Sequence, residues 1–327
     1  MKNFWRNKRV LITGAGGFLG SWICEALVHR GSQVLALVKE ERSGSPLNKL
    51  RPRLYSVVKE SITDFEKIKG IFLKERPDVC FHLAAQPLVG LADQSPLGTF
   101  ETNITGTWNI LEASRMINIK SLIIASTYKA QVNYGSHRAE RKASPLSLHP
   151  YDTSKACSDL LARTYFSTYG LPLAVTRSCN IYGGGDLNFS RIIPSAIKSV
   201  LHNEDPVIRS DGTPLRYYLY IEDAVDVYLS LAERVSEPKV QGEAFSIGAG
   251  KAVSVFGLVN KIIELSGNKG LKVIVASSSK NGRTEKMQRL DFSKAHRLLE
   301  WRPGHSLEEG LAKTIGWYRK YFKICAQ

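Results

Sequence analysis

The sequence predicts an α/β fold built on a doubly wound parallel sheet, with a smaller lobe toward the C-terminus. Three observations predict it. Short apolar runs at 9–13, 33–38, 54–58, 79–83 and 121–125 alternate with longer stretches of helical character. The runs are continuously apolar, as in Val34-Leu35-Ala36-Leu37-Val38 and Leu122-Ile123-Ile124-Ala125, which is what strands covered on both faces require. Beyond about residue 180 the alternation gives way to an irregular, turn-rich pattern.

Taken in order, Arg9-Val10-Leu11-Ile12-Thr13 reads as a strand that enters a glycine turn and then a helix over 18–30. Strands at 33–38 and 54–58, a helix over 64–74, a strand at 79–83, a helix over 97–117 and a strand at 121–125 continue the series. A further helix begins near Tyr151 and leads to a strand at 172–177. Units of this kind wind into a Rossmann sheet. After it, Gly183-Gly184-Gly185, Pro194, Pro206, Asp211-Gly212 and Pro214 break the pattern. Residues 1–178 are expected to form mainly the Rossmann domain and 179–327 mainly the lobe, with some segments returning to the first domain. The chain shows no internal repeat or low-complexity tract.

The turn after the first strand carries Gly14, Gly17 and Gly20, spaced G-x-x-G-x-x-G, with Phe18 and Leu19 opening the helix. The first glycine allows a tight turn, the second lets backbone approach a pyrophosphate, and the third permits close helix–strand packing. Strand, glycine turn and helix in that order point to a dinucleotide site. The second strand ends Leu37-Val38-Lys39-Glu40-Glu41-Arg42. Glu40 suits ribose hydroxyls, whereas Lys39 and Arg42 suit a 2′-phosphate, so NAD and NADP both stay open.

Tyr151 and Lys155 are four residues apart and project from one face of a helix. A free phenol titrates near ~10, and a neighbouring ammonium favours its ionised form. So tuned, Tyr151 can remove a hydroxyl proton while hydride leaves the same carbon. Thr127, with Ser126 before it, ends a strand and supplies a hydroxyl to orient the reacting oxygen.

With these elements in place the chain resembles the extended short-chain dehydrogenases/reductases, in particular the nucleotide-sugar epimerases and dehydratases. The resemblance runs from the glycine loop through Phe81-His82-Leu83-Ala84-Ala85-Gln86 and Thr102-Asn103-Ile104-Thr105-Gly106-Thr107 to Leu298-Leu299-Glu300-Trp301-Arg302-Pro303. Ala85-Gln86-Pro87-Leu88-Val89 and Asn180-Ile181-Tyr182-Gly183-Gly184-Gly185-Asp186 are similar to the CDP-glucose 4,6-dehydratase type. The resemblance implies oxidation at C4 of a nucleotide-linked hexose by Thr127, Tyr151 and Lys155. It implies that Leu83, Ala84, Ala85 and Gln86 border the cofactor, with Ser61 and Ile62 at its adenine end.

Two departures bear on the reaction. Dehydratases of this kind carry an acid and then a base directly after the strand-end hydroxyl; here Tyr128 and Lys129 stand at those positions, and Gln131 replaces a tyrosine further on. A phenol is a poorer proton donor than a tuned carboxylic acid. The adenine-contacting aspartate position falls on Ser61, with Asp64 close by. The reading adopted is an epimerase or isomerase that loses no water, with a 4,6-dehydratase, a sugar-ring mutase and a non-catalytic dinucleotide sensor as alternatives. Substrate contacts are expected from Gln86, Asn180, Asn188, Arg191, Arg209, Arg216, Arg283 and Glu285, because a nucleoside diphosphate calls for cationic forks and polar partners. The resemblance also implies a homodimer pairing through helices at about 97–117 and 151–168.

Composition sets the outer limits. With 327 residues, 43% hydrophobic and 23% charged, the chain can bury a full core. Its net charge of +15 is spread along the sequence without an aromatic-basic repeat or a zinc or helix-turn-helix signature, which argues against nucleic-acid binding. Cys24, Cys80, Cys157, Cys179 and Cys325 are odd in number and scattered, consistent with a reduced cytoplasmic setting and with no metal cluster. No run approaches the ~18 apolar residues of a membrane span, and no signal peptide is read.

Overall fold

The computed structural model describes residues 4–41, 44–130, 149–268, 270–276 and 290–325. In chain order its strands are β1 (Arg9–Thr13), β2 (Gln33–Val38), β3 (Ser56–Lys59), β4 (Val79–His82), β5 (Ser121–Thr127), β6 (Leu173–Ser178), β7 (Asn180–Tyr182), β8 (Val207–Ile208), β9 (Leu215–Tyr220), β10 (Ala244–Ile247), β11 (Ala249–Ser254) and β12 (Ile274–Val275). The chain divides into two compact units. One comprises Met1–Ser178, Val225–Ile247 and Ser293–Trp301, the other Cys179–Ala224, Gly248–Phe292 and Arg302–Gln327.

The first unit holds a seven-stranded sheet in the order β10-β6-β5-β4-β1-β2-β3, and every pairing is parallel. Thr13 at the end of β1 stands opposite Leu37 on one side and His82 on the other. Because β2 and β3 lie to one side of β1 and β4 to the other, the strand order reverses beside β1. Ligands of doubly wound sheets bind at such a switch point, outside the carboxyl ends of the strands. Helices cover both faces, so β4 and β6 are buried at every position and neither alternates between buried and exposed residues. Leu11, Leu35, Phe72, Ile110, Leu122 and Leu173 meet in one of the resulting cores.

Local chemistry sets the helix ends. The Phe65–Glu75 helix starts at Asp64, whose side chain accepts from Lys67 N at 3.2 Å. The Pro150–Tyr169 helix has proline at its first position and stops at Gly170, which turns left-handed at φ 65°. The helix expected over 97–117 is instead interrupted: Pro96–Phe100 and Gly106–Met116 flank a π-helical turn at Glu101–Thr105. Two constraints converge there. Asn103 is turned inward and buried, and a Cβ on Gly106 would lie 2.4 Å from Ile62 Cδ1, so the chain is held against Ile62 while an extra residue is absorbed. The strand expected at 54–58 begins later, at Ser56, because Pro52 sits in a 3₁₀ turn over Arg51–Arg53.

The second unit has a three-stranded sheet, β11-β9-β7, with β11 antiparallel and β7 parallel to β9, and a two-stranded pair of β8 and β12. Helices Ile192–Leu201, Val255–Ser266 and Leu307–Cys325 pack within it. Its glycine run has a packing reason: a Cβ on Gly184 would lie 2.3 Å from the Trp317 ring. Tyr318 closes the same corner by donating to Asp186 O.

Candidate active site

The end of β1 forms a cradle that only glycine can build. Gly14 is left-handed at φ 70°, and a Cβ there would sit 2.8 Å from Ala84 N, so the β4 loop lies directly against the turn. Gly17 caps the Phe18–His29 helix and has no side chain with which to satisfy its first N–H groups. Uncapped N–H groups and the helix dipole suit an anion at this end. Gly20 is buried, and a Cβ on it would fall 2.3 Å from Gly14 O. These residues fit the pyrophosphate of a dinucleotide. Phe18 and Leu19, both half-buried, open the helix.

Beyond the cradle, Gly16, Val38, Glu40, Glu41, Ser45, and Arg51 line one depression. Ser45 Oγ donates to Gly16 O at 3.1 Å and closes its floor. Lys39 and Glu40 are exposed at the end of β2. Glu41 is paired with Arg51 at 2.9 Å. Arg42 lies outside the described residues. At the positions expected to meet the adenine, Ser61 Oγ pairs with Thr63 Oγ1 at 2.8 Å, and Asp64 is engaged as a helix cap. Ile62 is a core side chain whose carbonyl accepts from Asn109 Nδ2 at 2.9 Å.

Strand β5 and the Pro150–Tyr169 helix bring the catalytic candidates together. Lys155 Nζ donates to Ala125 O at 2.8 Å, which fixes the lysine against the strand two residues before Thr127. Tyr151 lies one helical turn before Lys155, on the same face and half-buried. Burial lowers Lys155 from the usual ammonium range to about 8, against the opposing influence of Asp159. Asp159 is itself raised by burial, and Arg177 Nε donates to its Oδ2 at 2.7 Å. After Thr127 a 3₁₀ turn holds Tyr128 and Lys129, and Lys129 N approaches Thr127 Oγ1 at 3.4 Å. Lys129 Nζ is 3.9 Å from Asp152 Oδ2, the residue after Tyr151. Gln131 lies outside the described residues.

A buried hydrogen-bond chain links the cradle and the Pro150–Tyr169 helix. Thr13 Oγ1 accepts from Leu83 N and Ala84 N, both at 3.1 Å, so its own proton goes to His82 Nδ1 at 2.9 Å. His82 therefore carries its proton on Nε2 and donates to Thr107 Oγ1 at 3.0 Å. Thr107 and Ser158 both donate to Asn103 O, at 2.6 and 2.7 Å. Asn103 Nδ2 donates to Ser154 Oγ at 2.9 Å, and Ser154 Oγ donates to Tyr151 O at 2.7 Å. Burial drives His82 down to about 3, with Lys155 acting in the same direction, so the ring stays neutral. Asn103 also exchanges bonds with the Gln86 backbone, while the Gln86 amide is engaged by Leu88 and Thr99. Each polar group of Gln86 thus has a partner within the fold, and the half-buried Ala84 and Ala85 precede it.

The remaining candidates belong to the second unit. Arg191 is paired with Asp186 at 2.9 Å, and the Asn188 side-chain oxygen accepts from Ser190 N and Oγ in a local turn. Asn180 is exposed on β7, Arg209 is exposed after β8, and Arg216 on β9 donates to Leu215 O at 3.0 Å. Arg283 and Glu285 lie outside the described residues. Sequence reasoning passed over Asp152, Asp159, Arg177 and the bonding roles of His82 and Asn103. Asp159 had a readable signal, since it follows Lys155 by one helical turn. Among the described residues no three His, Cys, Asp or Glu side chains could hold a metal, and no helix is long and apolar enough to cross a membrane.

Comparison with known proteins decides what this cradle and helix belong to. The model of the NAD dependent epimerase/dehydratase family matches residues 10–248. The chain belongs to that family. Within this epimerase/dehydratase family it is 30% identical to CDP-glucose 4,6-dehydratase of Salmonella typhimurium, over 98% of this chain and 93% of that protein. UDP-glucose 4-epimerase of Thermotoga maritima, solved with UDP-glucose, superposes with a TM-score of 0.82 at 28% identity, covering 96% of this chain and 99% of that one. The dTDP-glucose 4,6-dehydratase of Streptomyces venezuelae, solved with NAD bound, gives 0.81 at 26%, covering 97% and 98%. Family enzymes thus divide between epimerases and dehydratases, and family membership makes this chain an NAD-dependent nucleotide-sugar enzyme.

Proposed function

We propose that this enzyme oxidises C4 of an NDP-hexose and returns the hydride without loss of water, acting as an epimerase or isomerase. The observation that carries the lean is Tyr128: the residue after Thr127 is a phenol where elimination calls for a carboxylic acid. Thr127 orients the C4 oxygen, Tyr151 takes its proton, and Lys155, anchored on Ala125 O, holds the phenolate charge. Gly14, Gly17 and Gly20 would hold the pyrophosphate of NAD, and Glu40 the adenosine ribose in preference to a 2′-phosphate. When bound, the nicotinamide supplies the hydride acceptor. Arg191, Arg209 and Arg216 are the proposed nucleotide contacts, and the active form is a homodimer.

A second reading, 4,6-dehydration, is favoured by the 30% identity to a CDP-glucose 4,6-dehydratase and by Lys129. Mass spectrometry and NMR of products from a panel of NDP-hexoses separate the two. An unchanged mass with a new sugar spectrum supports epimerisation, while loss of water establishes the dehydratase. Tyr151→Phe should abolish either activity and leave NAD binding intact. Unchanged turnover in that variant would remove the proposed mechanism.

A further inference from the structure

Arg177 and Asp159 form a buried ion pair beside the strand that ends in Thr127. Arg177 Nε donates to Asp159 Oδ2 at 2.7 Å, and both residues are more than nine-tenths buried. Taking two charges out of water is costly, and well-packed apolar residues often serve stability as well in the same place. The position of the pair gives its charges a use. Arg177 stands opposite Ser126 in the register of β5 and β6, one residue before Thr127. Asp159 follows Lys155 by four residues on the Pro150–Tyr169 helix, as Lys155 follows Tyr151, so the three side chains occupy successive turns of one helix face. That face meets β5 through Lys155 and β6 through Asp159.

We propose that Asp159, held by Arg177, is a positioning residue of the active site: its carboxylate supplies the negative charge against which the Lys155 ammonium is kept beside Tyr151. The inference rests on the reading that Tyr151 and Lys155 carry out the sugar oxidation. Lys155 is buried, and its Nζ donates to the carbonyl of Ala125, which fixes the ammonium without neutralising it. Burial disfavours that ammonium; Asp159 opposes the loss, and Lys155 in turn favours the charged form of Asp159. The groups that face Lys155 from the other elements do not take this part. His82 on β4 is neutral and bonded to Thr13 and Thr107, and Arg177 on β6 is itself a cation. The β5 side chains Ala125, Ser126 and Thr127 carry no charge, and Asp152 on the same helix lies 3.9 Å from Lys129. Arg177 is needed because burial pushes Asp159 toward its neutral acid, which would offer Lys155 nothing. A neutral Lys155 amine would not hold the Tyr151 phenolate, so Asp159 acts on the reacting proton through Lys155 alone.

The test reads Lys155 directly. In the full-length protein labelled with ¹³C at lysine Cε, the Lys155 signal is the one lost in Lys155→Met, and its shift is followed by NMR as pH is raised. In the wild type it should titrate at about 8. Asp159→Asn should lower that midpoint by about one pH unit or more, and should reduce kcat on the responsive NDP-hexose roughly tenfold with KM nearly unchanged. Because Asp159→Asn leaves the Arg177 cation unpaired and buried, Asp159→Asn with Arg177→Met, which carries neither charge, is measured beside it. The double variant should melt closer to the wild type and still titrate below it. A merely structural pair would move the melting temperature and leave the Lys155 midpoint in place. A midpoint in the double variant indistinguishable from the wild type, or a lowered midpoint with unchanged kcat, overturns the inference. Failure of the C4-oxidation reading shows differently: the wild type would oxidise no NDP-hexose, while the Lys155 midpoint would still answer to Asp159.

Discussion

The ammonium of Lys155 and the carbonyl of Ala125 are 2.8 Å apart, and this bond ties the Pro150–Tyr169 helix to the strand that ends in Thr127. The bond is formed at a cost. Burial that brings Lys155 down to about 8 means the folded state holds the ammonium less readily than the unfolded chain does. Between about 8 and the ordinary value of 10.5 the unfolded state binds the extra proton, so stability rises with pH across that window. Below it the buried charge weighs fully on the fold. Lys155→Met should therefore raise the melting temperature at pH 7 by a few degrees while lowering kcat by ~10²–10⁴-fold. Thermal melts beside initial rates check both halves, and a variant that is less stable at pH 7 would refute the argument.

His82 has the opposite consequence in acid. The ring is neutral in the folded protein down to about 3, whereas the unfolded chain takes up a proton near the ordinary value of 6.5. Stability present above 6.5 is thus lost progressively as pH falls toward 3. At pH 5 the loss from this one group should be about 2 kcal/mol relative to pH 7. Urea titrations at the two pH values measure it. His82→Gln should show a smaller difference between them, and should be destabilised at pH 7 by about 1–3 kcal/mol, because the Thr13 and Thr107 hydroxyls lose their shared partner.

Much of this architecture was legible because parallel strands write themselves as apolar runs. The strands at 9–13 and 33–38 and the helix near Tyr151 emerged from periodicity, and Gly14, Gly17 and Gly20 from spacing. What stayed hidden depends on burial and on long-range partners. The π turn at Glu101–Thr105 arises from Asn103 reaching Gln86 and from Gly106 pressing on Ile62, contacts between segments that helical periodicity cannot see. Asp152 carries no signal in the sequence that sets it apart, yet it is wholly enclosed. Gln86 reads as a ligand contact, and spacing gives no sign that its amide also spans the turn between Leu88 and Thr99.

The glycine cradle predicts an asymmetry between two neighbouring substitutions. A Cβ on Gly17 would lie 3.1 Å from Gly14 O, a contact relieved by a shift of a few tenths of an ångström, and the residue is exposed. On Gly20 the same atom would lie 2.3 Å from Gly14 O and 2.9 Å from Ala15 Cα, both backbone, with no side chain to swing aside. Gly17→Ala should melt within a degree or two of the wild type but bind NAD at least tenfold more weakly. Gly20→Ala should lose about 1–3 kcal/mol or more of stability. Calorimetric titration with NAD and thermal melts separate the two effects, and equal melting of both variants would contradict the cradle geometry.

The proposed homodimer has a definite surface to use. Trp108 Nε1 donates to Tyr165 OH at 3.0 Å, so the Gly106–Met116 and Pro150–Tyr169 helices lie side by side and present a common outer face. Large apolar side chains are exposed on both helices, Trp108 at 53%, Leu160 at 40% and Tyr169 at 56%, and Leu97 on the preceding Pro96–Phe100 helix is 79% exposed. Large apolar side chains grouped on two adjacent helices mark an interaction surface more often than scattered ones do. A stable pair needs roughly 800 Å² from each partner, and two helices from each copy can supply it. Light scattering after size exclusion should give twice the 36.4 kDa chain mass. Trp108 is bound to Tyr165, so the disruptive changes are better made at Leu97 and Leu160, whose side chains face outward. Leu97→Glu with Leu160→Glu would bring four carboxylates to the proposed pairing and should yield monomer with an unchanged far-ultraviolet circular dichroism spectrum. A wild-type chain that runs as monomer at micromolar concentration, or a double variant that still pairs, would move the interface off these helices.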